Sequence, residues 1–351
     1  MISRREVLAL AGPASGWLAS NSRARAAQPD LRRMGGAPTA FFLHMRASRG
    51  GGPPFDLIEH CHSLGLAGVE TNPPSTDPEA IKKFRERIEA HNMYVICDPR
   101  LPREKSDLDA FEAQVKAYKE AGACAFHAAL TGRRYEDFTS FEPWKKMFEG
   151  IQASVALAEP VLRKHKMRLG LENHKGYRAV EQAAWLKRLG SEYVGVCFDF
   201  GNNIALCEDP MDTLRTLLPY AFFSHIKDMA VEDYEDGFLL SEVDMGEGFM
   251  DLKQMVQILR QKDSNYIFLL EMITRDPLKV PVFTTKYWAT FDDSISPLPG
   301  RDLAKTMMLV RKNRPKKPLP RIAGLSPEGQ LQSENEHNLK CIEYARQNLD
   351  M

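Results

Sequence analysis

The sequence predicts an α/β protein, a single (β/α)8 barrel with an extra C-terminal helix. Eight short runs rich in apolar and β-branched residues alternate with eight longer segments of helical periodicity, the pattern of parallel strands joined by helices. The runs are apolar without strict alternation, as expected of strands that are covered on both faces. The length of 351 residues is within the range of one such barrel.

The predicted elements follow one another in a regular order. The strands are predicted at 40–45, 67–70, 94–98, 123–128, 168–172, 194–199, 222–226 and 267–271. The helices are predicted at 56–64, 78–91, 107–121, 143–165, 179–189, 210–218, 251–262 and 301–312. Two connections are long, 227–250 and 272–300. Long loops in a compact domain often cover a functional site, although a dimer contact or a surface elaboration is an equal alternative.

The two ends of the chain are predicted to lie outside the barrel, which spans 27–313. The run SRREVL at 3–8 resembles a twin-arginine signal, and the Ala-Arg-Ala at 24–26 is a suitable cleavage site. The apolar stretch between them is too short to cross a bilayer, so we expect export to the periplasm or beyond without a stable membrane span. Residues 314–351 are predicted to form a linker and a helix, 333–348, that packs on the barrel.

The overall charge narrows the choice of partners. Lys plus Arg and Asp plus Glu number 47 each, which gives no electrostatic reason to expect nucleic acid or an anionic membrane. We therefore expect a small molecule, a sugar or glycoside, as the partner, and the sequence leaves homo-oligomerisation open. The six cysteines show no Cys-x-x-Cys spacing, and no disulfide pairing can be deduced from them.

An ionisable residue lies near the carboxyl end of every predicted strand. A charged group in this position is costly to bury alone, and barrel enzymes build their active sites at this end of the strands. Together the eight residues predict a polar rim around the barrel mouth. They are His44, Glu70, Asp98, His127, Glu172, Asp199, His225 and Glu271.

The last four of these residues predict a metal site. Glu172, Asp199, His225 and Glu271 come from consecutive strands, and their carboxylates would repel one another unless a cation neutralised them. An oxygen-rich site with one imidazole favours Mn²⁺ first, with Mg²⁺, Co²⁺ or Zn²⁺ as further candidates. The alternative is that the carboxylates form salt bridges with arginines.

Several motifs around these residues carry a family resemblance. They are LENH at 171–174, DFGN at 199–202, HIKD at 225–228, GEG at 246–248 and the strand-ending Glu271. Over about 39–313 the chain resembles the xylose-isomerase-like TIM barrels, also called the sugar phosphate isomerase/epimerase family. The family includes isomerases, epimerases, dehydratases, lyases and an endonuclease branch. The resemblance therefore implies one fold but leaves several reactions open.

The resemblance implies roles for the four predicted ligands. In the ketose epimerase branch, the equivalents of Glu172, Asp199, His225 and Glu271 hold one divalent metal, and the two glutamates also move protons. The implied reaction removes a proton next to a carbonyl of an unphosphorylated carbohydrate and passes through an enediolate. The chief alternative is β-elimination from a 3-keto-glycoside. A non-catalytic carbohydrate-binding barrel is more remote, as is an abasic-site endonuclease, which needs a histidine where this chain has Asn202.

Further residues are predicted to bind the substrate. His174 is expected to donate to a hydroxyl or to support a ligand, Lys227 to contact a substrate oxygen or to pair with Asp228, and Trp288 to stack on a sugar ring or to pack in the core. His44, Glu70 and His127 are expected on the far wall of the pocket. The full set of substrate contacts is His44, Glu70, His127, His174, Asn202, Lys227 and Trp288.

Overall fold

A computed structural model of the protein describes residues 29–129, 132–291 and 297–351. The predicted export signal at 1–26 lies outside these residues. Within them, no helix is long and apolar enough to cross a membrane.

Eight parallel strands close into a barrel, which confirms the predicted fold class. Around the barrel the strands follow the order β1, β10, β7, β6, β5, β4, β3, β2, and every neighbouring pair is parallel. The barrel strands are β1 (Gly35–Gly36), β2 (Gly68–Glu70), β3 (Tyr94–Cys97), β4 (Ala123–Ala128), β5 (Leu169–Glu172), β6 (Val194–Asp199), β7 (Ala221–Ile226) and β10 (Ile267–Leu270).

Helices surround the barrel, and aspartate side chains begin several of them. Asp56, Asp77 and Asp209 accept hydrogen bonds from the first backbone amides of their helices, as good N-cap residues do. The helices are α1 (Phe42–Arg49), α2 (Leu57–Ser63), α3 (Pro78–Ala90), α4 (Leu108–Glu120), α5 (Arg134–Asp137), α6 (Phe141–His165), α7 (Ala179–Leu189), α8 (Pro210–Leu217), α9 (Leu252–Lys262), α10 (Thr285–Trp288), α11 (Gly300–Lys312) and α12 (Pro327–Asn348).

The first predicted strand is wrong. Residues 40–45 lie in a 3-10 turn, Pro38–Phe41, and in the beginning of α1, whereas the first barrel strand is the pair Gly35–Gly36. A Cβ at Gly35 would lie 2.6 Å from the Tyr94 hydroxyl and 2.8 Å from Leu269, so this strand needs residues without side chains. Such a strand gives no hydrophobic signal, and a short apolar run such as 40–45 does not distinguish strand from helix.

The two long connections form a small sheet on top of the barrel. The first contains an antiparallel hairpin, β8 (Asp228–Tyr234) and β9 (Gly237–Val243), and the second adds β11 (Leu278–Val280) to it. The carboxylate of Asp228 accepts hydrogen bonds from the backbone amides of Gly246 and Gly248. A Cβ at Gly248 would clash with this carboxylate. The HIKD and GEG motifs therefore fix the end of the hairpin beside β7.

The C-terminal helix α12 is present as predicted, and a buried glutamate ties it to the barrel mouth. Both oxygens of Glu334 are used: one accepts from the Leu43 amide at 2.6 Å, and the other accepts from the His44 amide at 3.1 Å and pairs with His44 Nδ1 at 2.6 Å. Glu334 is fully buried. The contact fixes α1, which follows the turn that lines the cavity described below.

We expect Glu334→Gln to lower the free energy of unfolding by about 1–3 kcal/mol, the usual cost of leaving buried polar groups poorly paired. The amide that replaces one carboxylate oxygen cannot accept from the α1 backbone. Urea unfolding measures the change, and Glu336→Gln, on the exposed side of the same helix, is the matched control. Equal stability of the two variants would contradict the role given to Glu334.

Candidate active site

Four side chains from neighbouring strands converge at the carboxyl end of the barrel. Glu172 and Asp199 end β5 and β6, His225 lies near the end of β7, and Glu271 follows β10. Asp199 is paired with His225 in register, and His225 with Leu269. One ligand atom from each of the four lies within 4.8 Å of those of the other three, and all four side chains are buried. The sequence-predicted set is therefore brought together at one point.

His225 has one ring nitrogen free to face this point. Its Nε2 lies 2.8 Å from Glu70 Oε2, and because a carboxylate only accepts, Nε2 donates. Within the described residues Nδ1 is buried without a hydrogen-bond partner, 3.4 Å from Glu271 Oε2, and in the neutral ring it carries the lone pair. This is the arrangement in which a carboxylate orients a metal-binding histidine. The orphaned nitrogen fits a cation. Without an ion, burial acts to lower the pKa of His225, but Cys197, Glu70 and Glu271 raise it well above its usual value, so a bound cation would compete with a proton for Nδ1.

The ammonium group of Lys227 faces two of the three carboxylates. Lys227 Nζ is buried and lies 2.7 Å from Asp199 Oδ2 and 3.1 Å from Glu271 Oε2. Within the described residues, no arginine lies within 4 Å of Glu172, Asp199 or Glu271, so the predicted alternative of arginine salt bridges is not what holds the cluster. Lys227 also contacts these carboxylates rather than Asp228.

The charges of this cluster leave room for a cation. Burial raises the pKa of Asp199 well above its usual value, with Lys227 opposing and Glu271 adding to the rise. Burial also acts to raise the pKa of Glu271, but Lys227 and then His225 lower it well below its usual value. One lysine therefore does not keep all three carboxylates ionised. A divalent ion would, and three carboxylates with one imidazole are donors that suit Mn²⁺ or Mg²⁺.

Asparagine side chains position two of the carboxylates. Asn202 Nδ2 donates to Glu172 Oε1 at 2.7 Å. Asn173 Oδ1 accepts from the Asp199 amide at 2.7 Å, and its Nδ2 donates to the Asp199 carbonyl at 2.8 Å. The motifs LENH and DFGN thus hold each other across β5 and β6.

A second polar group adjoins the first. His127 Nδ1 lies 2.7 Å from Asp98 Oδ1 and 3.2 Å from Glu70 Oε1, while its Nε2 faces Glu172 Oε2 at 3.5 Å. Burial acts to lower the pKa of His127, but the charge of Glu70 and the bond to Asp98 raise it well above its usual value. Its Nδ1 thus bonds Asp98 and faces Glu70, whereas its Nε2 is buried without a hydrogen-bond partner in the described residues.

The converging side chains form the floor of a cavity of about 860 Å³. This volume lies in the upper part of the range for small-molecule sites. The floor consists of Glu70, Asp98, His127, Glu172, His225 and Glu271. The walls come from the turn after β1, the loop after β3 and one face of α6, which contributes Met147 and Ile151.

Two predicted substrate contacts lie elsewhere. His44 is on α1, not at a strand end, and pairs with Glu334. Trp288 donates from Nε1 to the Val282 carbonyl at 2.8 Å and packs against Tyr287 and Phe291, the core-packing alternative. Neither is among the residues that line the cavity. The aromatic residues of this connection are used to build a small core of their own.

His174, Asn202 and Lys227 lie beside the cluster, whereas several residues of the cavity were not predicted as substrate contacts. His174 Nδ1 is buried without a partner in the described residues, and burial lowers the pKa of this histidine. The unpredicted polar residues near the floor include Asp98 and Thr39, whose hydroxyl is also buried without a partner in the described residues. Asp98 could have been predicted as a substrate contact from its place at a strand end. Thr39 could not, because it lies on the turn after the first barrel strand, which was assigned wrongly.

We expect Glu70→Gln to weaken Mn²⁺ binding about 10–100-fold, the usual cost of losing the carboxylate that orients a metal-bound histidine. Burial acts to raise the pKa of Glu70, but His127 and then His225 outweigh this effect and lower the pKa to about 2. The native side chain is therefore a carboxylate that accepts hydrogen bonds from both rings. Calorimetric titration with Mn²⁺ measures the change. Glu86→Gln, exposed on α3, is the control, and equal affinity of the two variants would refute the orienting role.

Two curated proteins match parts of the chain. It is 27% identical over 114 residues to 3-oxo-isoapionate decarboxylase of Pectobacterium atrosepticum, which covers 32% of this chain and 42% of that protein. It is 23% identical over 227 residues to the uncharacterised protein YihM of Escherichia coli, which covers 62% of this chain and 65% of that one. The matches thus span less than two thirds of each relative's length.

Comparison with solved structures and family profiles agrees with the observed barrel. The crystal structure of D-psicose 3-epimerase in the presence of D-fructose superposes with a TM-score of 0.51 at 15% identity, covering 83% of this chain and 92% of that one, which shows a shared fold. The family profile described as "Xylose isomerase-like TIM barrel" matches residues 58–289, more than half of the chain. This match confirms the resemblance seen in the motifs: the protein belongs to the family of xylose isomerase-like TIM barrels.

Proposed function

We propose that the protein is a divalent-metal-dependent enzyme that removes a proton next to a carbonyl group of an unphosphorylated carbohydrate, in an isomerase or epimerase reaction. One observation carries the proposal. Glu172, Asp199, His225 and Glu271 converge within 4.8 Å, and three of them, Glu172, His225 and Glu271, line a cavity at the carboxyl end of the barrel, where barrel enzymes have their active sites.

In this proposal the four side chains hold Mn²⁺ most readily, with Mg²⁺, Co²⁺ or Zn²⁺ as alternatives. When bound there, the ion supplies Lewis acidity that polarises a carbonyl and offsets the negative charge that develops on the substrate.

The chain's own residues perform the proton transfers. Glu172 and Glu271 are the candidate base and acid, since a positioned carboxylate can take the proton and a second one can return it. Asn202 holds one oxygen of Glu172, and Lys227 holds Glu271 in place.

A second candidate is a lyase that expels a β-substituent after the same proton is removed, for example from a 3-keto-glycoside. The size of the cavity favours it, because about 860 Å³ and an apolar wall with Met147 and Ile151 leave room for a second ring. The partial relative from P. atrosepticum, 3-oxo-isoapionate decarboxylase, is likewise named for a bond-breaking reaction rather than for an isomerisation. We further propose export to the periplasm, which the twin-arginine-like run at 3–8 supports.

An isotope experiment in D2O tests both candidates. The purified full chain with Mn²⁺ is incubated with a panel of ketoses and then with 3-keto-glycosides, and the products are analysed by NMR. Deuterium at the carbon next to the carbonyl without bond cleavage supports the isomerase or epimerase. Deuterium exchange with release of the β-substituent supports the lyase. The absence of exchange and cleavage across both panels would contradict the proposed function.

A further inference from the structure

Two arginines line the cavity and form no salt bridge with the described residues of the protein. Arg100 and Arg103 lie on the loop after β3, and both contribute to the wall of the cavity that contains Glu172 and Glu271. Within residues 29–129, 132–291 and 297–351, neither guanidinium has a carboxylate within 4 Å. Arg134, by contrast, forms a paired salt bridge with Glu181 in the interior. The two cavity arginines are available to a ligand.

The loop that carries these arginines is held in a defined shape. Pro99 and Pro102 restrict its backbone, and Ser154 on α6 donates to the Pro102 carbonyl at 2.7 Å. The Arg100 amide donates to Gln114 Oε1 at 2.8 Å, and the Arg103 amide donates to Asp107 Oδ2 at 2.8 Å. This oxygen of Asp107 therefore accepts from a backbone amide rather than from a guanidinium group. The arginine side chains extend from fixed points, as binding residues do.

The distribution of charge indicates the kind of ligand. The floor of the cavity holds the acidic cluster that suits a cation, whereas the loop after β3 presents two positive groups on the wall. Both arginine side chains are exposed, so beside a neutral sugar their guanidinium groups would be paired with water alone. A sugar with a carboxylate would place its carbonyl at the floor and its anionic end at the wall, and a guanidinium matches a carboxylate with two parallel hydrogen bonds.

A carboxylate fits this wall better than a phosphate does. Phosphate sites commonly use the backbone amides of a glycine-rich turn at a helix N-terminus. The glycine that lines the cavity, Gly150, lies inside α6 instead. The available donors are two guanidinium groups, which bind either anion with paired hydrogen bonds, so the preference for a carboxylate rests on the lack of an amide cradle among the described residues of the cavity.

We propose that the substrate is a sugar acid and that Arg100 and Arg103 bind its carboxylate. The inference rests on the proposed function, since it names the substrate class of the same site. The sugar-acid proposal is tested by binding, whereas the proposed function is tested by isotope exchange, so either can fail without the other. A protein without isotope exchange can still bind acids preferentially, and an active enzyme can lack this preference.

The experiment is calorimetric titration of the Mn²⁺-loaded full chain with matched acid and neutral probes. The pairs are D-glucuronate with D-glucose, D-galacturonate with D-galactose, and D-gluconate with D-glucitol. We expect at least one acid to bind about tenfold or more tightly than its neutral partner, as a charge-assisted pair would give. The double variant Arg100→Gln/Arg103→Gln should lose this preference while its affinity for the neutral partner stays within about twofold.

The control removes two exposed arginines elsewhere. Arg188→Gln/Arg311→Gln takes the same charge from α7 and α11 and should keep the preference. A preference that survives in the Arg100/Arg103 variant would come from the metal site alone and would overturn the proposal, as would a wild-type protein that prefers no acid. D-glucose 6-phosphate is titrated as well: arginine-dependent binding of this probe with no preference for any acid would overturn the assignment of a carboxylate.

Discussion

Replacing Glu271 by glutamine is expected to lower turnover about 10²–10⁴-fold, the usual contribution of a positioned general acid or base. Glutamine keeps the shape of the side chain and one oxygen for a metal, but it cannot accept a proton. It also removes the charge that Lys227 Nζ faces at 3.1 Å. We therefore expect turnover to fall much more than sugar binding, which calorimetry with the same sugar measures beside the kinetic assay.

The matched control for this prediction is Glu235→Gln, at the exposed turn of the β8–β9 hairpin. It removes the same charge far from the floor of the cavity, so its turnover should equal that of the wild type. If Glu271→Gln also kept wild-type turnover, the proton-transfer role given to Glu271 would be wrong, whatever metal the site holds.

Removing divalent metal is expected to abolish turnover and to lower the melting temperature. Without an ion, Glu172, Asp199 and Glu271 crowd within 4.8 Å with Lys227 as the facing ammonium group. An ion that binds only the folded chain stabilises it by about 2.7 kcal/mol when its free concentration is a hundred times its Kd. Dialysis against a chelator, followed by thermal unfolding and assay with and without added Mn²⁺, measures both effects.

Adding metal back to the chelated protein distinguishes the loss of the ion from irreversible damage to the protein. Added Mn²⁺ should restore turnover and melting temperature together, whereas Ca²⁺, which prefers longer bonds to oxygen, should restore less. A chelated protein with undiminished turnover would contradict the metal-dependent reaction. Full turnover with no change in melting temperature on adding back metal would place the ion away from the buried cluster.

The barrel could be predicted from sequence because its strands carry the signal that barrels need. Seven of the eight strands coincide with apolar runs, and the helices between them have clear caps such as Asp77 and Asp209. The first strand could not be found because it is the pair Gly35–Gly36, where the packing of Tyr94 and Leu269 excludes side chains. The β8–β9 hairpin was missed because its charged residues and its place between barrel strands favour a loop.

The site was predictable only as far as strand order allows. Adjacent parallel strands bring their carboxyl ends together, so the convergence of Glu172, Asp199, His225 and Glu271 followed from position alone. The bond between Glu70 and His225 joins β2 to β7, 155 residues apart, and no local pattern indicates it. Exposed arginines on loops are common, so Arg103 had no signal until the cavity was known.

Metal content is the most direct test of the central claim that four side chains share one divalent cation. Elemental analysis for Mn, Mg, Co and Zn is made on the purified wild type and on Asp199→Asn, which keeps the size of the side chain but removes a charge. We predict about one divalent ion per chain in the wild type and a clearly lower content in the variant, because even the loss of a group that only orients a ligand weakens metal binding about 10–100-fold. A wild-type protein that turns over sugar without any bound ion, or a variant that keeps its full content, would contradict the account.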